Sequence, residues 1–353
     1  MTQDNSKTMH RIKQIAAMLD DALILAQPDG IIYFVNADAV RIFGKNLLGQ
    51  RLHEMLSNID VKAAFVQMEA GEAIDEIIYK TVEPVAYELK IRMRQLDDGT
   101  VALLCLDMTS MRNLENVRRD FVANVSHELR SPLTSLAGFI ETMLDGDVPD
   151  QAMRKRFLQI MEEEAMRMSR LLDDLLSLSR VEVAEHIVPS DAVNLGDLLK
   201  TVVTIMEGRA AQRGMDVDFE DVVQTAPSLR ADDDIIISGS YDELTEVFVN
   251  LLENAIKYGF EKSQICIRLG MTAPDIITVD VTNFGEGIEA RHLPRLTERF
   301  YRVDKARSRQ IGGTGLGLAI VKHIVNRHRG TLTAASNLGQ TTKFSVTLPL
   351  KPR

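Results

Sequence analysis

The sequence predicts a multidomain α+β protein built in three parts, and three observations carry that reading. The chain has 353 residues, which is two to three times an ordinary domain. Its apolar pattern changes period twice: strand-like runs give way to residues spaced three and four apart, and strands then return. Breaks near residues 108 and 186 mark those changes, so the expected domains are 1–108, 109–185 and 186–353.

Composition excludes several classes of function. Hydrophobic residues make up 45% and charged residues 26%, as in globular chains generally, so the chain as a whole is not disordered. A net charge of −10 argues against a nucleic-acid partner, which requires basic surface to displace counterions. No apolar run approaches the roughly 18 residues of a membrane helix, and the polar N-terminus lacks a signal-peptide core. Cys105 and Cys266 are too far apart in sequence to suggest a disulfide framework or a zinc site. The expectation is a cytoplasmic protein with no membrane segment of its own, or the soluble part of a longer signalling protein.

Residues 1–108 read as a mixed α/β module. A helix over Ile12–Asp20 precedes a strand at Ala22–Ala26, and Gln27-Pro28-Asp29-Gly30 is a turn leading to a returning strand at Ile31–Val35. Further strands are expected at Ile77–Thr81, Ala86–Met93 and Val101–Leu106. A hairpin, short helices and a three-strand meander resemble a PAS sensor domain. No histidine or cysteine here marks a haem or flavin site.

Residues 109–185 are helical in period. Val122, Val125, Leu129, Pro132, Leu136, Ile140 and Met143 share one side of a first helix. Phe157, Met161, Glu164, Met168, Leu171, Leu175 and Leu178 form a heptad seam on a second. The segment Asp145-Gly146-Asp147-Val148-Pro149 breaks the helix between them. An antiparallel hairpin has too little core alone, so a homodimer forming a four-helix bundle is expected.

His127 lies on the wrong face for packing. With His127 at zero on the helical wheel, the seam falls at about 140° to 220°, so the imidazole points to solvent among Asn124, Ser131 and Thr134. An exposed imidazole can act as a nucleophile toward phosphorus, and Glu128 beside it can accept a proton. Pro132 removes a backbone donor one turn later and can bend the helix. The segment Phe121-Val122-Ala123-Asn124-Val125-Ser126-His127-Glu128-Leu129-Arg130-Ser131-Pro132 resembles the phosphoacceptor motif of sensor histidine kinases, close to the phosphate-regulon type. That resemblance implies that His127 is phosphorylated, that Glu128 is its general base, and that Ser131 orients water for dephosphorylating the partner.

Three further motifs follow in order. In Asn250-Leu251-Leu252-Glu253-Asn254-Ala255-Ile256-Lys257-Tyr258, the two asparagines share a helix face that Glu246 extends, and Lys257 lies on the same side. Hard oxygen ligands of this kind suit Mg²⁺. Asn283-Phe284-Gly285-Glu286-Gly287 follows a strand at Ile276–Val281. The basic segment Arg299-Phe300-Tyr301-Arg302, with Arg307 and Arg309 beyond, leads to Gly312-Gly313-Thr314-Gly315-Leu316-Gly317. Clustered glycines before a helix let amides approach phosphates, but the spacing fits neither a Walker nor a Rossmann loop. Together these elements resemble the Bergerat-type α/β sandwich shared by histidine kinases, Hsp90-type chaperones, gyrase and mismatch-repair ATPases. The resemblance implies ATP and Mg²⁺ as cofactors. It places ATP contacts at Asn250, Asn254, Lys257, Tyr258, Asn283, Gly285, Gly287, Phe300, Tyr301, Arg302, Gly313, Thr314, Gly315, Leu316 and Gly317, with Mg²⁺ at Asn254 and Asn250.

Two positions depart from the family. Asn283 stands where an aspartate normally accepts a bond from the adenine amino group, and Thr297 stands where a phenylalanine is usual. A neutral acceptor makes a weaker bond than a charged one, so ATP binding is expected to be weaker. The resemblance implies an ATP-dependent histidine kinase that autophosphorylates His127, passes the phosphoryl group to an Asp of a response regulator, and also dephosphorylates that regulator. The alternative is a kinase-impaired phosphatase or signalling scaffold. His323 and His328, five apart on the last helix, are expected to be surface residues, and Cys105 is expected to be core.

Overall fold

The computed structural model describes residues 10–56, 74–81, 86–146, 150–222, 235–273, 275–304 and 313–350. Asp147-Val148-Pro149, Arg307, Arg309 and Gly312 therefore lie outside the described residues. The chain divides into two compact units, Met1–Val122 and Ala123–Arg353. No helix among the described residues is long and apolar enough to cross a membrane.

In the first unit, a helix α1 over residues 10–16 precedes β1 (Ala22–Ala26) and β2 (Ile32–Val35). Two short helices follow, α2 (Ala37–Phe43) and α3 (Leu52–Met55), and then β3 (Ile74–Lys80), β4 (Glu88–Gln95) and β5 (Val101–Asp107). The strands form one antiparallel sheet in the order β2-β1-β5-β4-β3. Alternation along β4 and β5 buries Leu89, Ile91, Met93, Leu103 and Cys105. Burial pushes the Cys105 thiol up to about 12, which makes it an inert core residue. The hairpin turn closes through the Gly30 amide on the Gln27 carbonyl, with Gly30 at positive φ.

Helix α4 (Thr109–Leu144) crosses the boundary between the units, and α5 (Gln151–Ala184) returns after an N-cap at Asp150. Helix α4 runs through Pro132, which is buried and supplies no amide for the Glu128 carbonyl. Phe139 and Phe157 join the two helices with ring centroids 5.0 Å apart.

The remainder of the second unit is a sheet covered by helices. Its elements are β6 (Ala192–Asn194), α6 (Leu195–Ala211), β7 (Asp216–Asp221), β8 (Ile236–Ser238), α7 (Tyr241–Tyr258), β9 (Gln264–Ala273) and β10 (Ile276–Phe284). A 3₁₀ turn at Leu293–Arg295 leads to α8 (Gly317–Arg327), β11 (Thr331–Asn337) and β12 (Thr341–Pro349). The main sheet has the order β11-β12-β10-β9-β7, antiparallel except where β7 meets β9, and β6 pairs with β8 alone. Strand β10 covers the strand expected at Ile276–Val281 and runs three residues further. The sequence reading passes over β7 and β11, the two edge strands. Both carry small or acidic residues, as edges do, and the apolar signal is faint there.

One sequence expectation is overturned in this layer. His328 is not a surface residue but is 1% exposed. Its Nδ1 donates to the Ile324 carbonyl and its Nε2 accepts the Ser240 amide at the start of α7. Burial lowers its pKa, and the neighbouring Arg327 acts in the same direction, so a neutral imidazole ties α8 to α7.

Phe248 is fully buried at the centre of this layer. Phe248→Ala is expected to destabilise the second unit by about 3–5 kcal/mol, read as a lower midpoint in urea unfolding.

Candidate active site

Helix α7 is divided lengthwise by its sequence. Leu244, Val247, Phe248, Leu251, Leu252, Ala255 and Ile256 are buried where the helix packs on α6, α8 and β10. That spacing leaves Asn250, Glu253, Asn254 and Lys257 on the opposite side, where they line a cavity of about 400 Å³. This volume lies within the usual range for small-molecule sites. The Asn250 Nδ2 donates to the Glu246 carbonyl, which directs its oxygen elsewhere. A Cβ placed on Gly317 would sit 2.6 Å from that Asn250 oxygen. Lys257 pairs with Glu253 at 3.3 Å, and Glu253 also meets Arg209.

Strand β10 ends at the cavity. Asn283, 4% exposed, lines it together with Gly287, while Gly285 does not. Gly285 instead lets two chain segments meet, since a Cβ there would lie 2.7 Å from the Tyr258 carbonyl. Gly313, Thr314, Gly315 and Gly317 line the opposite wall, whereas Leu316 is buried in the core. Gly315 has φ of 77° and Phe300 of 62°, and the Phe300 amide bonds the Gly315 carbonyl. Phe300 therefore backs the glycine segment and is not part of the cavity wall. Tyr258, Tyr301 and Arg302 are part of that wall. Tyr301 is fixed by His292 Nδ1 at 2.6 Å from its hydroxyl and by Arg295 over its ring. Thr297 is half-buried outside the lining, which its neighbour Leu296 joins.

The hairpin reaches this wall through polar contacts. His127 and Ser131 are exposed on α4. The Glu128 Oε2 accepts from Arg167 Nη2 at 3.1 Å and from Arg302 Nη2 at 3.2 Å. On α5, Asp174 accepts the Thr314 hydroxyl at 2.6 Å, Ser177 donates to Glu246 at 2.6 Å, and Glu182 pairs with Arg299. Glu246 is therefore spent on this contact and does not line the cavity. His323 places Nδ1 3.0 Å from Glu185 and Nε2 3.6 Å from Glu182.

Sequence reasoning misses Arg170, Asp174, Arg209, Glu253, Ile288 and Thr342 of the lining. Glu253 sits inside the asparagine motif and was findable by its place on the same face. Arg170 and Asp174 arrive from another part of the chain, and no local pattern announces them. Asp174 is raised above its ordinary value by burial and by Glu246 and Glu253, with the Thr314 bond and Lys257 opposing.

Two families match the chain. Residues 117–183 match the His Kinase A (phospho-acceptor) domain, and residues 239–352 match the histidine kinase-, DNA gyrase B- and HSP90-like ATPase. The phosphate regulon sensor protein PhoR of Pseudomonas aeruginosa is 35% identical over 340 residues, covering 95% of this chain and 73% of that protein. The sensor histidine kinase WalK of Bacillus subtilis is 30% identical over 353 residues, covering 97% of this chain and 55% of its own length. The chain thus spans about half of WalK. Among solved structures, the histidine kinase ThkA in complex with the response regulator protein TrrA is similar in fold. Its TM-score is 0.52 at 22% identity, covering 96% of this chain and 98% of that one.

Two substitutions test the cavity. Gly317→Ala is expected to displace the Asn250 amide and weaken nucleotide binding at least ~10-fold. Because the clash is with a side-chain oxygen that can turn away rather than with backbone, the melting temperature should fall little. Asp174→Asn removes a buried negative charge from the cavity wall and is expected to tighten ATP binding about fivefold in calorimetry. A carboxyl raised in the folded state contributes stability below its ordinary value and loses it as pH rises through the raised one. Asp174→Asn should remove that pH dependence from unfolding curves.

Proposed function

The chain belongs to the sensor histidine kinases, the ATP-dependent protein-histidine kinases of two-component systems, and we propose that it phosphorylates itself on His127 and passes the phosphoryl group to an aspartate of a response regulator. The observation that carries this reading is Arg302. One side chain lines the cavity and also bonds Glu128, the neighbour of the exposed imidazole, so the nucleotide wall and the phosphoacceptor turn touch.

In the proposed reaction, a ring nitrogen of His127 attacks the γ-phosphorus of ATP. The bond from that phosphorus to the bridging oxygen breaks, ADP leaves, and Glu128 takes the proton from the other ring nitrogen. Catalysis is positioning plus charge stabilisation. Asn283 and Thr342 in the cavity lining suit the base, and the glycine segment with Lys257 suits the phosphates. The donor set of Asn250, Asn254 and Glu253 consists of hard oxygens facing one space, which fits Mg²⁺. That ion would supply neutralisation of phosphate charge. In the return reaction, Ser131, one turn beyond His127, is placed to orient water for dephosphorylating the regulator.

The three-part organisation, 1–108, 109–185 and 186–353, gives each step a place. The first part, with hairpin, short helices and meander, is proposed to be a PAS-like sensor. Val122 and Ile140 of α4, and Leu172 and Leu176 of α5, stand exposed, which supports closure of the hairpin into a homodimeric four-helix bundle. The partner regulator is proposed by likeness to ThkA, whose structure holds TrrA. The activity is assigned to the cytoplasm, where ATP is available. A signal in the first part would bias the bundle between kinase and phosphatase arrangements.

Asn283 motivates a second reading, a phosphatase or scaffold with a weakened ATP site. Incubation with γ-labelled ATP and Mg²⁺ separates the two. Wild type is expected to take label that His127→Ala loses, and Asn283→Asp to reach the same label at several-fold lower ATP. An unlabelled wild type alongside a labelled Asn283→Asp would replace the kinase reading with the second one.

A further inference from the structure

Arg302 has two claimants. Its side chain is 5% exposed and lines the cavity, yet its Nη2 bonds the carboxylate of Glu128. Its Nε is buried with no hydrogen-bond partner among the described residues. An unsatisfied donor on a buried guanidinium is costly, and a planar guanidinium presents five donors matched to carboxylate or phosphate oxygens. The present contact therefore leaves Arg302 with unused capacity. The carboxylate it holds is shared: the same Oε2 takes Arg167 Nη2 at 3.1 Å, and Arg167 also lies 4.0 Å from Glu164. Arg167 is outside the cavity lining, so it belongs to the carboxylate side of this arrangement alone.

We propose that Glu128 and the phosphates of a bound nucleoside triphosphate compete for Arg302. Nucleotide entry draws the guanidinium into the cavity and frees Glu128 beside His127, while Arg167 keeps the carboxylate in position. Arg167 is thus a positioning residue, and Arg302 reports nucleotide occupancy to the phosphoacceptor turn. The inference rests on the kinase reading above for its purpose, but its physical content is a coupling between two binding events. Coupling of this kind is reciprocal: a group that the nucleotide displaces must itself oppose the nucleotide.

That reciprocity fixes the signs of a binding experiment on the full chain. Titration calorimetry with the non-hydrolysable analogue AMPPNP and Mg²⁺ reads affinity without any reaction. Glu128→Gln removes the competing charge and keeps the side-chain shape, so AMPPNP binding should tighten about fivefold. Arg167→Gln leaves Glu128 with Arg302 as its remaining cation in this cluster, so binding should weaken about two- to fivefold, with Arg167→Lys restoring part of the loss. In an Arg302→Gln background, Glu128→Gln should change nothing, which closes the double-mutant cycle. Unchanged or weaker binding in Glu128→Gln, or unchanged or tighter binding in Arg167→Gln, overturns the proposal. A merely structural role for either residue predicts weaker binding or none of these opposite signs. A wild type that takes no label from γ-labelled ATP would defeat the kinase reading, while the affinity differences would still decide the competition.

Discussion

The second unit is held together, where the hairpin meets the nucleotide layer, by a polar seam. Asp174 meets Thr314, Ser177 meets Glu246, Glu182 meets Arg299, Glu185 meets His323, and Glu128 meets Arg302. Two of these contacts are hydroxyl–carboxylate hydrogen bonds and three join a carboxylate to a basic side chain; the part-exposed pairs Glu182–Arg299 and Glu185–His323 are individually worth about 0–1 kcal/mol. Leu171, Leu178 and Val181 of α5 are buried beside these contacts, so the interface combines a narrow apolar strip with a polar rim that orients its two sides. The proposed cycle, in which the nucleotide layer approaches His127 for transfer and then withdraws, calls for a contact of this kind. Helix α7 buries seven apolar side chains in the packing with α6, α8 and β10, and nothing in the proposed cycle requires that packing to open.

The chemistry of the seam follows from where the acidic residues lie. Helix α5 offers Asp174 and Glu182, with Glu185 just past its end, and the nucleotide layer answers with Thr314, Arg299 and His323. Glu185 shows the balance: burial raises its pKa, but the His323 bond and charge, with Asn326 and His186, outweigh it and leave the carboxyl lowered. A lowered carboxyl contributes stability above its ordinary range and loses it as pH falls through the folded value. Asp174 runs the other way, raised chiefly by burial. The seam therefore contains a carboxylate that the fold welcomes at neutral pH and one that it tolerates at a cost, and the costly one sits on the cavity wall.

Much of the architecture was legible from periodicity and punctuation. The α7 motif shows why: a helix with seven apolar residues on one side commits Asn250, Asn254 and Lys257 to the other, so fold and site are written in the same eighteen residues. The glycine segment was legible for a similar reason, since Gly315 needs positive φ and Gly317 must leave room for Asn250. What stayed hidden depends on contacts between distant segments. Nothing local distinguishes Asp174 from any other acid on a heptad helix, or His328 from a solvent-facing histidine, until the chain closes. Glu128 was legible as a base candidate by its place beside His127, but its two arginine partners come from 39 and 174 residues away.

Asn283 can be weighed in the same physical terms. It lies in β10 between Ile265 of β9 and Thr342 of β12, almost fully buried in the cavity lining. A carboxylate at such a point is stabilised when an adenine amino group donates to it, but in the empty site it is a buried charge with a desolvation penalty. The amide gives up part of the bond to the base and avoids that penalty. Its second group, the Nδ2, adds a donor that a purine edge must accommodate. With the adenine-facing role proposed for Asn283, the amide would trade nucleotide affinity for a less costly empty site. That trade runs parallel to the competition proposed for Arg302, because both would raise the nucleotide concentration at which Glu128 is set free beside His127.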